Sequence, residues 1–123
     1  MKILLLIGFG SFIGGVLRYI ISVIIQTRFL GSFPYGTLTV NIIGCFFIGL
    51  LLGLSEKMVI SNEARFFITT GLLGGFTTFS AFSAETIALM RIGQTGHALT
   101  YVVASVSLGL LATFIGVWAA RFF

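Results

Sequence analysis

Charged residues are scarce in this chain. Seven Lys and Arg and three Asp and Glu stand among 123 residues, 8% of the total, where a soluble domain carries about 25%. So few charges cannot cover a water-facing surface, which excludes a soluble domain and a disordered chain. The basic residues Lys2, Arg18, Arg28, Lys57, Arg65, Arg91 and Arg121 stand singly. A phosphate-binding face needs them clustered, so no nucleic-acid partner is expected. The single cysteine, Cys45, excludes an internal disulfide, and no Cys/His set exists for a metal. One histidine, His97, no Ser-His-Asp set, no carboxylate pair and no phosphate-cradling loop leave nothing from which to build an enzyme. What is present is apolar: 58% hydrophobic residues together with 16 glycines. The remaining class is an integral membrane protein.

A bilayer core about 30 Å thick needs about 20 apolar residues per helix. Four segments meet that length, roughly Ile3 to Ile25, Tyr35 to Leu54, Phe66 to Met90 and Ala98 to Ala120. The polar joints between them are short, so residues 1–123 are expected to form one four-helix transmembrane domain. The opening Lys2 and apolar run resemble a signal peptide, but the run continues past Arg18 to Ile25 and no A-x-A-like cleavage site follows. It is therefore expected to be a span. Lys2, Lys57, Arg65 and Arg121 would fall on one side of the membrane, Arg28 and Arg91 on the other. That bias is small. It is compatible with insertion both ways and pairing with an inverted copy, or with a single orientation set by the two extra charges.

Glycine is about twice as frequent as in average proteins. Small residues let membrane helices approach closely, and Gly10 with Gly14, and Gly49 with Gly53, have that spacing. A tight, oligomeric bundle is expected. The third segment differs. Thr69-Thr70-Gly71-Leu72-Leu73-Gly74-Gly75-Phe76-Thr77-Thr78-Phe79-Ser80 puts three glycines and four threonines at mid-membrane depth. Each glycine weakens a helix by about 1 kcal/mol relative to alanine, and threonine hydroxyls compete for backbone groups. The composition predicts a helix break near Gly74 to Thr78; the alternative is a continuous helix whose glycines pack on a neighbour. A break would free carbonyl oxygens, hard ligands suited to a small cation such as Na⁺.

Polar residues inside spans need partners. Asn41 is expected either to glue helices together or to contact a pore or substrate. Glu85 is the only acid within a span; it would reach the interface or pair with Arg18 or Arg91. Arg18 would snorkel or form an electropositive vestibule. Tyr101 and Ser105, four apart, share a face of the fourth helix. Phe79 and Phe82, three apart, have Thr77, Thr78, Ser80 and Ser83 as neighbours, which is not a lipid-facing setting. Aromatic rings have positive edges, and edges turned toward a small anion would partly replace its water without a full charge that binds too tightly for flux.

Three motifs resemble the Fluc (CrcB-type) fluoride channel family. Gly14-Gly15-Val16-Leu17-Arg18-Tyr19 is similar to its first-helix signature. Phe33-Pro34-Tyr35-Gly36-Thr37-Leu38-Thr39-Val40-Asn41-Ile42-Ile43-Gly44-Cys45-Phe46 is similar to the second-helix one, and Gly71 through Glu85 to the third. The resemblance implies an all-α membrane protein of four transmembrane helices per subunit, the third broken mid-membrane, in an inverted, dual-topology homodimer. It implies a passive fluoride-selective channel in the cell (inner) membrane of a microbe, exporting cytoplasmic fluoride through two pores at the subunit interface. Its partners would be fluoride, a second copy of the chain and membrane lipid. A structural Na⁺ on the two-fold axis would be held by the carbonyls of Gly74 and Thr77. Phe79, Phe82, Asn41, Ser80, Tyr101 and Ser105 would line the fluoride pathway, with Arg18 and Glu85 at its mouths. Gly109 stands where a further hydroxyl is expected. Composition by itself does not choose fluoride over chloride. Two alternatives make different predictions. A four-span, proton-coupled exporter of the small multidrug type would depend on Glu85, although that type carries its acid in the first span, where this chain has Arg18 and none. A structural membrane subunit would carry no flux.

Overall fold

The computed structural model describes residues 1–123; its regular elements are all helices, with no strands. Four stretches are long and apolar enough to cross a membrane: Lys2–Gln26, Tyr35–Ser55, Asn62–Arg91 and Thr95–Phe122. Each boundary lies within a few residues of the one read from the sequence. The helices α1 (Lys2–Gln26) and α2 (Tyr35–Ser55) are continuous, and 25 residues at 1.5 Å each give α1 about 38 Å, enough to span with tilt. The third span is built from pieces: α3 (Asn62–Arg65), a π-helical segment (Phe66–Leu73), α4 (Gly74–Phe76) and α5 (Phe79–Arg91). The fourth is α6 (Thr95–Ala119), closed by a 3₁₀ turn (Ala120–Phe122).

The helix break is where the Gly/Thr composition puts it. Thr77 (φ −85, ψ 157) and Thr78 (φ −152, ψ 119) are both extended. The eight-residue π-helical segment before it was not anticipated from the sequence. Its i→i+5 bonding is rare and favours no side-chain pattern that marks it.

Glycine sets the packing. The π segment and α4 lie along α1, where a methyl group at Gly10 would sit 2.7 Å from the Phe67 carbonyl oxygen and one at Gly14 would collide with that of Leu72. Ser11, between them, donates to the Gly71 carbonyl at 3.3 Å. The helices α2 and α6 form the second close pair, with Gly49 and Gly53 of one against Thr113 and Val117 of the other. Few large side chains are buried; Val40 and Tyr101 are the largest that are wholly enclosed. The outer surface is apolar nearly all round, with Leu5, Phe12, Leu110 and Phe114 among its exposed residues. That is an outside for hydrocarbon, with close backbone contacts inside.

At one end the joint between α1 and α2 folds back on itself. Gln26 donates to the Phe33 carbonyl at 3.0 Å and accepts from the Gly36 N–H at 3.1 Å. This satisfies an otherwise orphaned donor of the first turn of α2. It also fixes Phe33 against Tyr101, with ring centroids 5.6 Å apart.

Candidate functional site

A groove of about 390 Å³ runs along the side of the bundle at the level of the break. Asn41, Gly74, Thr77, Phe79, Phe82 and Ser105 all line it. Residues from α2, the broken third span and α6 are thus gathered into one concavity, although they lie up to 64 positions apart (41 to 105).

The break makes the floor. Thr77 seats its methyl in the notch left by Gly44, where any side chain would collide with it. Asn41 grips the next residue on both sides of its amide. Its Nδ2 donates to the Thr78 carbonyl at 3.0 Å, and its Oδ1 accepts from the Thr78 N–H at 2.9 Å. Asn41 thus ties α2 to the third span, and the same side chain lines the groove. Thr78 in turn caps α5: its Oγ1 accepts from the Ala81 N–H at 3.2 Å, the usual task of a threonine before a helix.

The walls are aromatic and hydroxylic. The Phe79 and Phe82 ring centroids are 5.3 Å apart at 45°, and Phe82 stacks on Tyr101 at 5.1 Å and 24°. Phe79 is 78% exposed in the single chain, so its ring projects outward at the groove's edge. The Ser105 hydroxyl is buried and has no partner; an unmade hydrogen bond of that kind costs about 1–3 kcal/mol. Tyr101 lies behind Phe82, and its hydroxyl donates to Glu85 at 2.8 Å. The other Glu85 oxygen accepts from the Thr37 hydroxyl at 2.7 Å. Neither arginine is its partner: the one ion pair in the chain joins Lys2 to Glu63 at 3.3 Å. Arg18, half-buried on α1, lies away from the groove lining. Ser80 is exposed and also outside that lining, its Oγ 3.2 Å from the Thr78 hydroxyl.

Sequence reasoning put Thr78 at the break without assigning it the cap of α5, and it gave no site role to Thr37, Thr69 or Cys45. Thr78 had a readable signal, a threonine directly before the amphipathic run of α5. The others had none, because Thr69 and Cys45 enter through the groove and Thr37 through a partner 48 positions away. Gly109 sits beside Cys45, whose Sγ is 3.4 Å from where a methyl would be.

The carbonyls of Gly74 and Thr77 are left without a helical partner at the break. No backbone N–H crosses the break to either of them, both residues line the groove, and Gly74 is exposed. Free amide oxygens are hard, neutral ligands of the kind that bind Na⁺ at broken membrane helices.

Comparison with known proteins agrees in outline. The family described as "CrcB-like protein, Camphor Resistance (CrcB)" matches residues 5–117. A "Fluoride-specific ion channel FluC" of Phocaeicola vulgatus is 44% identical over 121 residues, covering 98% of this chain and 100% of the relative. One of Rhizobium meliloti is 49% identical over 122 residues, 98% of each chain. One of Thermus thermophilus is 46% identical over 112 residues, 91% of this chain and 90% of the relative. With the family match running from the first span into the last, and the relatives matched nearly end to end, this multi-pass membrane protein belongs to the CrcB-like family.

Proposed function

We propose that the chain is a passive, fluoride-selective ion channel that releases cytoplasmic fluoride across the cell membrane. The observation that carries this reading is the groove itself: one concavity gathers aromatic rings, hydroxyls and an amide, and no full charge. Phe79 and Phe82 line it, and ring edges turned inward would meet the anion with their positive rim. Ser105 supplies a hydroxyl with no competing partner, and the second N–H of Asn41 Nδ2 remains free to donate once the first is given to Thr78. Neutral donors of this kind exchange for an anion's water without trapping it, as conduction requires. The names of the relatives point to the same ion.

The groove is open on one side, and Phe79 projects from its edge. A second copy would close it. The near-even distribution of basic residues supports an inverted partner, which would give an antiparallel homodimer with two equivalent pathways along its interface. Tyr101 would extend the hydroxyl track of Ser105 toward the mouth marked by Glu85, Ser80 would join it at the break, and Arg18 would add positive potential in a vestibule. The carbonyls of Gly74 and Thr77, with those of the inverted copy, would hold a structural Na⁺ on the two-fold axis. When bound, that ion would neutralise the oxygen-rich break and tie the subunits together. The chain's own residues would do the rest: they replace water and orient donors.

The test is ion release from liposomes containing purified protein and loaded with fluoride or chloride, with a potassium ionophore present and an anion-selective electrode outside. Fluoride should leave rapidly with no proton gradient, while chloride is retained. Fluoride release that requires a proton gradient would refute the channel reading in favour of a coupled exporter. Release of neither ion would refute it in favour of a subunit without flux.

A further inference from the structure

In an α-helix each carbonyl receives the N–H four residues later. For Gly74 that donor is Thr78, and for Thr77 it is Ala81. Both donors are present, because the third span contains no proline, and both are held elsewhere. The Thr78 N–H is taken by Asn41 Oδ1 at 2.9 Å. The Ala81 N–H is taken by Thr78 Oγ1 at 3.2 Å. Two side-chain oxygens thus capture the two N–H groups that would otherwise quench the two carbonyls of the candidate cation site.

We propose that Asn41 and Thr78 are positioning residues that create the cation site by diverting those donors. This rests on the cation reading of Gly74 and Thr77 above. Without the Asn41 oxygen, the Thr78 amide is free to turn back onto Gly74. Without the Thr78 hydroxyl, the Ala81 amide is free to turn back onto Thr77. Either event re-forms a helical hydrogen bond and removes a ligand. Asn41 also acts on the second ligand directly. The Thr77 carbonyl and the Thr78 N–H are two ends of one peptide unit, so accepting from the N–H fixes that plane and polarises its C=O. The second Asn41 contact, from Nδ2 to the Thr78 carbonyl at 3.0 Å, holds the following plane. Because Asn41 also lines the groove, one side chain joins the cation site to the anion path.

The experiment measures thermal unfolding of purified protein in detergent, in sodium chloride and in N-methyl-D-glucamine chloride of equal ionic strength. The variants are Thr78→Val, Thr78→Ser and Asn41→Leu. The wild type should unfold at a higher temperature in sodium. The sodium concentration giving half of that rise should increase at least about tenfold in Thr78→Val and Asn41→Leu. In Thr78→Ser, which keeps the hydroxyl, it should stay near the wild-type value. A merely structural threonine would lower the melting temperature equally in both salts. If the wild type is indifferent to sodium, the cation reading fails and this inference with it. If the wild type responds and Thr78→Val responds equally, the inference fails while the cation reading stands. Should Thr78→Val not fold, NMR of the wild type decides. A through-hydrogen-bond coupling should link the Thr78 amide nitrogen to the Asn41 side-chain carbonyl carbon, and the Gly74 and Thr77 carbonyl carbons should shift on sodium addition. Absence of either signal overturns the proposal.

Discussion

Replacing Gly49 by alanine isolates what the backbone contact between α2 and α6 contributes. A methyl at Gly49 would lie 2.8 Å from the carbonyl carbon of Thr113 and 2.9 Å from its Cα. Carbon atoms in contact prefer about 3.5–4.0 Å, and the Thr113 carbonyl oxygen is nearer still, so α6 would have to retreat by at least about 0.6–1.2 Å. The obstruction is backbone, which cannot rotate away as a side chain would. Overpacking of this kind costs about 1–3 kcal/mol, and the rigid obstruction puts Gly49→Ala toward the upper end. Alanine returns about 1 kcal/mol of helix propensity. The net expectation is a loss of about 1–2 kcal/mol. Gly8→Ala is the control. It makes the same change in α1, where a methyl meets nothing within 4 Å, and should gain about 0.5–1 kcal/mol. Detergent-titrated unfolding followed by circular dichroism measures both. A Gly49→Ala protein as stable as the wild type, or a Gly8→Ala protein less stable than it, would refute the packing argument, because the two substitutions differ only in their tertiary surroundings.

Four further predictions concern the groove and the residues behind it. Ser105→Ala removes a buried hydroxyl that has no partner; unfolding should show no loss of stability beyond about 0.5 kcal/mol, while liposome efflux of fluoride falls. Tyr101→Phe keeps the stack on Phe82 but deletes one hydrogen bond to Glu85, so unfolding should register a loss of about 1.5–3 kcal/mol. Combining it with Thr37→Val should cost more than the sum of the single changes, since the carboxylate then loses both hydroxyl donors. Phe79→Ile replaces a ring that is 78% exposed in the single chain; fluoride efflux should drop at least about tenfold, corresponding to about 1.4 kcal/mol of lost stabilisation in the pathway, with helical content unchanged.

Much of this molecule was legible from composition and order. Four apolar runs separated by polar joints dictate four spans, because hydrocarbon tolerates only backbone whose hydrogen bonds are satisfied within the segment. The Gly/Thr cluster of the third span located the break, since glycine weakens a helix and threonine hydroxyls offer its N–H groups another acceptor. The spacing of Gly10 with Gly14, and of Gly49 with Gly53, marked faces of close approach. In each case the physical cause is local, and local causes are written in adjacent residues.

What only the tertiary structure decided is which groups face one another. Sequence left Glu85 between the interface and two arginines; folding gave it the hydroxyls of Thr37 and Tyr101. Sequence left Asn41 between glue and pore contact; folding set it against both backbone groups of Thr78, 37 positions away, at the edge of the groove. The π-helical segment Phe66–Leu73 has no signature in its side chains, because its register is set by contact with α1 through Gly10, Ser11 and Gly14. Sequence determined the elements and the point at which one of them fails, since those follow from each residue's own conformational energy and its exclusion from water. The tertiary structure decided the partners, because a hydrogen bond between distant residues depends on the packing of whole helices.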